Sequence, residues 1–139
     1  MDRQVFARLQ NAGLEVLGWF TGSGPTVTEA FQPVVHIDAT PVQRIPANAI
    51  DSSRRVFDAW KSHARDAAVL TTDGSFLLTV GLKYDWVKVR LTDTTDISAL
   101  RDPEGELLIV ARSLSGHHVC AVSTEEGEYW ILEMDFHLQ

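Results

Sequence analysis

Between residues 69 and 136 the chain is a succession of short apolar runs cut by polar turns, and this spacing constrains the fold more than any other feature. The turns are Asp73-Gly74, Asp102-Pro103-Glu104-Gly105, Ser115-Gly116 and Glu125-Glu126-Gly127. Runs this short suit strands, and most of the links are too short for a crossover, so neighbouring strands are expected to be antiparallel. Asp73-Gly74 is a two-residue hairpin signal, which predicts that residues 69–72 pair with residues 75–82. Residues 86–91 alternate Trp86, Lys88 and Arg90 with Val87, Val89 and Leu91, giving a mostly charged face and an apolar one. Residues 106–112, 119–124 and 128–136 read as three further strands.

Upstream of residue 69 the texture is different. Residues 2–12 form a short helix with Val5, Phe6 and Leu9 on one stripe and Gly13 as its stop. Residues 14–20 read as a strand and residues 21–25 as a turn. Between residues 26 and 50 the signals conflict: Val34-Val35-His36-Ile37 looks extended, while Pro33, Pro41 and Pro46 argue against a long regular element. Residues 51–67 carry the strongest helical pattern, with Val56, Phe57, Trp60, Ala64 and Ala67 on one face and Arg54, Asp58, Lys61 and Arg65 on the other. The expected class is α+β: an antiparallel sheet of about five to six strands, mostly within residues 69–136, with two helices (2–12 and 51–67) packed on one face as an antiparallel meander.

At 139 residues, with 45% hydrophobic and 22% charged positions, the chain fits a single domain over 1–139 with a core of its own. No repeat or flexible linker divides it. The N-terminal residues lack a signal-peptide pattern, and the most apolar stretch (67–82) is broken at Thr71-Thr72-Asp73-Gly74. The single cysteine, Cys120, excludes an intrachain disulfide. A cytoplasmic protein without membrane association is expected.

The net charge of −7 is unevenly spread. Residues 93–139 hold ten acids against two bases, Arg101 and Arg112, while the rest of the chain is close to neutral. An acidic surface repels phosphates and attracts cationic proteins, so nucleic acid is an improbable partner and a basic protein a natural one. The basic stripe on residues 54–65 is a solvated helix face or a complement to those acids, including across a homodimer.

Signals for chemistry are sparse. The pairs His36/Asp38, His118/Cys120 and Asp135/His137 each sit two apart and would share a side on a strand, but no close-set metal spacing accompanies them. His63 borders the apolar side of its helix and reads as a packing residue. Cys120, between Val119 and Ala121, reads as a small buried hydrophobe. Gly22-Ser23-Gly24 lacks the third glycine of a dinucleotide fingerprint, since Val27 stands there, and no phosphate-binding lysine follows. No metal, cofactor or catalytic residue is assigned.

Aromatic residues and acids suggest a contact surface instead. Trp60 belongs to the core, whereas Trp86, beside Lys88 and Arg90, is expected to be partly exposed. In residues 128–135, Trp130, Leu132 and Met134 form the core-facing set, which turns Tyr129 outward beside Glu133 and Asp135. The expected binding surface is therefore Trp86, Glu125, Glu126, Glu128, Tyr129, Glu133 and Asp135. The matching function is a non-enzymatic acidic protein that neutralises or regulates a basic partner, such as a toxin or effector, in the manner of an immunity protein or inhibitor. The alternatives are a small-molecule-binding or sensory domain with a tryptophan-lined pocket between sheet and helices, and a small enzyme built on His36, Asp38 and His118.

Overall fold

The computed structural model describes residues 2–36, 39–81 and 85–136. The fold is α+β. Helix α1 (Asp2–Asn11) leads into strand β1 (Glu15–Trp19), followed by α2 (Val27–Val35), β2 (Gln43–Pro46) and α3 (Ser52–Asp66). Strands β3 (Ser75–Thr79), β4 (Val87–Arg90), β5 (Ile109–Arg112), β6 (His118–Glu125) and β7 (Glu128–Asp135) complete it, with a 3₁₀ turn at Ile97–Leu100 between β4 and β5. All seven strands join one antiparallel sheet in the order β1-β4-β3-β5-β6-β7-β2. The count is slightly above expectation because β2 adds an edge. The sheet is a meander only from β5 to β7, since β3 lies between β4 and β5.

The two expected helices, α1 and α3, do share one face. Val5 and Leu9 of α1 and Val56, Trp60 and Ala64 of α3 pack on Phe76, Leu78, Val89, Val122 and Ile131. Trp60 is fully buried, lies against Phe76, and donates its indole N–H to the Cys120 carbonyl at 3.2 Å.

The opposite face is also covered, by a third helix that the prolines concealed. Thr26 and Glu29 form a reciprocal capping box: the Thr26 hydroxyl accepts from the Glu29 N–H at 3.1 Å, and Glu29 Oε1 accepts from the Thr26 N–H at 2.9 Å. Val27, Ala30, Phe31 and Val34 then fall at helical spacing and bury against Leu77, Val110, Val119, Ala121 and Leu132. Residues 34–35 are therefore helical rather than extended. Pro33 sits near the C-terminal end, where α2 stops two residues later.

Arg112 fixes this second face. It is 1% exposed and has no carboxylate partner among the described residues. Its guanidinium donates instead to the carbonyls of Ser23 (2.7 Å), Pro25 (3.2 Å), Ser113 (3.1 Å) and Leu114 (3.3 Å), and stacks near Phe20 and Trp86. Gly24 makes the approach possible: its φ is +108°, and a Cβ there would stand 2.4 Å from an Arg112 nitrogen. The Gly-Ser-Gly segment thus serves as the backbone cradle of a buried arginine.

The expected hairpin at Asp73-Gly74 is not formed. The chain leaves α3 through a Schellman turn, with the Val69 N–H on the Ala64 carbonyl (2.8 Å), the Ala68 N–H on the Arg65 carbonyl (3.1 Å), and Ala68 at φ +61°. Val69 is buried in the core, and residues 71–75 close a tight turn around Asp73, whose carboxylate accepts from Ser75 and Thr71. Those hydrogen bonds hold the Asp73 pKa below the usual carboxylate range. Among the described residues, no helix is long and apolar enough to cross a membrane.

Candidate functional site

The β6–β7 hairpin carries six of the seven expected contact residues, the five acids and Tyr129, within one element. Its register runs from Glu125↔Glu128 at the turn to His118↔Asp135 at the open end. At 3.3 Å per residue these ends lie about 23 Å apart. The five acids therefore form two groups rather than one surface.

At the turn, Glu126 (φ +48°) and Gly127 (φ +82°) make a two-residue link. Glu125 and Glu128 face each other directly. The Thr124 hydroxyl accepts from the Leu107 N–H at 2.8 Å and donates to the Leu107 carbonyl at 3.0 Å, bringing the acidic 102–106 loop alongside. On the outer side, the Ala47 N–H reaches the Gly127 carbonyl at 2.9 Å, so β2 closes the edge here.

At the opposite end the acids engage histidines. Asp135 Oδ1 is 2.8 Å from His118 Nδ1, and Glu133 Oε1 is 3.3 Å from His63 Nδ1, whose Nε2 reaches Gln43 Oε1 at 3.0 Å. His63 is thus a tie between α3, β2 and β7 rather than a packing residue alone. These acids, with Asp66, Ala68 and Val42, border a cleft of about 500 Å³. On the other side of the same strand Leu132 and Met134 line a mainly apolar groove of about 390 Å³ against Pro33 and Ala39.

Among the described residues, no strand pairs with the edge between these two hollows. β2 pairs only with Glu128–Ile131, which is half of β7. The Phe136 N–H donates to the His117 carbonyl, whereas Ile131 and Gly127 carbonyls accept from Val42 and Ala47. Even-numbered positions therefore bond inward to β6 and odd-numbered positions outward. The N–H and C=O groups of Glu133 and Asp135 point to a side on which no described strand lies.

Two expected contact residues are inside the protein. Trp86 is only 5% exposed, because α2 and the 20–26 loop cover its face, and its indole N–H donates to the Pro25 carbonyl at 2.9 Å. Tyr129 is 4% exposed, because α3 covers the face it shares with Ile131, and its hydroxyl accepts from Arg101 Nε at 2.8 Å. The alternation along β7 was correct, but both sets of side chains are covered near the turn. Trp130, in the set expected to face the core, is half-buried, with Arg44 stacked on it and its N–H directed to Glu128 at 3.3 Å.

The remaining candidates separate. Cys120 is fully buried, and desolvation together with the nearby Glu133 charge raises its pKa far above the usual thiol value, so it stays a thiol. His36 closes α2 beside the apolar groove, while His118 lies at the acidic cleft. Asp38 and His137 fall outside the described residues. No group of three or more metal-ligating side chains is assembled among the described residues. Trp86 borders a cavity of about 140 Å³, small for a ligand site, and no tryptophan lines the two hollows flanking β7. In comparisons with known proteins no family model matches the chain, and neither curated proteins nor solved structures give a match.

Proposed function

We propose that this chain is a non-enzymatic acidic binding protein that neutralises or regulates a basic protein partner, as cytoplasmic immunity proteins and inhibitors do. The observation that carries this reading is the disposition of charge in residues 93–139. Its ten acids are all exposed or half-exposed. Its two bases are both turned inward: Arg112 is buried among carbonyls, and Arg101 is held by Tyr129, the Ser98 carbonyl (2.8 Å) and the Ser53 hydroxyl (3.0 Å). The outward face of this third of the chain is therefore more single-signed than its composition suggests. Such a field speeds encounter with a cationic protein and disfavours nucleic acid.

Retention of proteins from extract on the immobilised chain, at low and at high salt, tests the reading. A basic protein held at low salt, released at high salt, and inhibited or altered in activity by the purified chain is expected. Retention of nothing basic at low salt removes the reading. In that case a metabolite that raises the melting temperature would favour the small-molecule alternative.

A further inference from the structure

The half of β7 that no described strand flanks on its outer side has three features that together specify an occupant. The first is the pair of residues, Glu133 and Asp135, whose backbone donors and acceptors point into the lane beyond the Val42–Ile131 bond, where no described strand continues β2. An added strand would satisfy them, as in recognition by strand addition. The second is the acidic cleft on the α3 side, with Glu133 and Asp135 facing it from β7 and Asp66 from the end of α3. The third is the apolar groove on the α2 side, walled by Leu132, Met134, Pro33 and Ala39.

Side chains of an extended segment alternate between the two faces of a sheet. A segment in this lane would place every second residue over the acids and the intervening ones in the apolar groove. We propose that the outer edge of Leu132–Asp135 accepts, as an added strand, an extended segment of a basic protein in which lysine or arginine alternates with apolar residues. A second copy of this chain is the disfavoured occupant, because pairing two β7 edges would set Glu133 and Asp135 against the same acids, and like charges opposed across strands repel. The proposal deepens the basic-partner reading and rests on it.

The probe is a blocked peptide of alternating lysine and valine, with two controls: the same peptide N-methylated at alternate amides, which keeps its charge but cannot complete a ladder, and a glutamate–valine peptide. Amide chemical shifts and hydrogen exchange are followed in the intact chain. The lysine peptide is expected to bind, to slow exchange at Glu133 and Asp135 by at least tenfold, and to leave Glu125 and Glu126 unchanged. The N-methylated and glutamate peptides are expected to bind at least tenfold more weakly. Equal binding of the N-methylated peptide, protection at the Glu125–Glu128 turn instead, or self-association through β7 would each overturn strand addition.

A second arm separates this failure from failure of the parent reading. Glu133→Pro removes the outward N–H together with the carboxylate, whereas Glu133→Ala removes the carboxylate and its His63 contact but keeps the N–H. With melting temperature confirming that both fold, the proline variant should lose at least tenfold more affinity for the captured basic protein than the alanine variant. Equal affinity of the two variants sinks strand addition while leaving the basic-partner reading intact. Absence of any captured basic protein sinks the parent reading.

Discussion

The two ends of the β6–β7 hairpin are built from similar residues and have opposite fates. At the turn, Glu125, Glu126 and Glu128 crowd together, β2 closes the outer edge, and Tyr129 and Ile131 are sealed beneath α3. At the open end, Glu133 and Asp135 engage His63 and His118, no described strand pairs with the outer edge, and hollows flank the strand on both sides. Acid content alone therefore does not identify a contact surface. What distinguishes the open end is acid combined with space and with backbone that no described strand pairs, and an exposed sheet edge is ordinarily shielded. At the other margin of the sheet β1 is shielded in just that way, by a bulge between Val16 and Gly18.

If the turn end carries stability and the open end carries contact, truncations should separate along the strand. Ile131→Ala removes a fully buried side chain and should cost about 3–4 kcal/mol in denaturant unfolding. Met134→Ala, at a half-exposed position on the groove, should cost under about 1 kcal/mol. Similar costs at both positions would break the comparison, because the open end would then belong to the core.

Charge reversal reads the same contrast through binding. Glu133→Lys with Asp135→Lys should weaken a basic partner by about 100-fold, close to 3 kcal/mol. Glu125→Lys with Glu126→Lys should weaken it by no more than about threefold, mostly through slower association. Titration calorimetry at fixed ionic strength checks both, and the opposite ranking would move the contact surface to the turn.

Much of this architecture was legible in the chain. The helical stripe Val56–Trp60–Ala64 and the alternation in residues 128–135 led to the correct elements, because both report local periodicity. The α2 helix was legible too: Thr26-x-x-Glu29 is a capping box, and Val27, Ala30, Phe31 and Val34 keep helical spacing. Pro33 obscured it, because a proline inside a helix removes one i→i−4 hydrogen bond and reads as a breaker, yet α2 runs two residues beyond it. What sequence could not supply was the covering of the second face. That depends on the 20–26 loop folding onto Arg112, a contact between residues nearly ninety positions apart. Without it Trp86 looks exposed, and without α3 over Tyr129 the acidic residues look like one patch. The edge without a described partner strand was equally hidden, because it follows from β2 being four residues long and β7 eight.

Each end also holds one residue other than glycine in the left-handed region, and these sharpen the comparison at the smallest scale. Glu126 (φ +48°) forms the turn, and Ala68 (φ +61°) ends α3 beside the cleft. Glu126→Asn suits the backbone better and relieves repulsion among three neighbouring glutamates, so a gain of about 0.5 kcal/mol is expected. Ala68→Gly places the usual residue at the C′ position of a Schellman turn and should gain about 1 kcal/mol. Because Glu126 sits in the β6–β7 turn and Ala68 beside the cleft at the hairpin's open end, with no shared contact among the described residues, the double variant should show the sum within about 0.5 kcal/mol. The two should differ in binding. Glu126→Asn is expected to leave partner affinity unchanged, whereas Ala68→Gly should lower it about two- to threefold, because the Ala68 methyl helps to wall the cleft and the more permissive glycine loosens that wall. Equal affinity in both variants would mean that the cleft beside Ala68 takes no part in contact, and would confine the interaction to the edge of β7 itself.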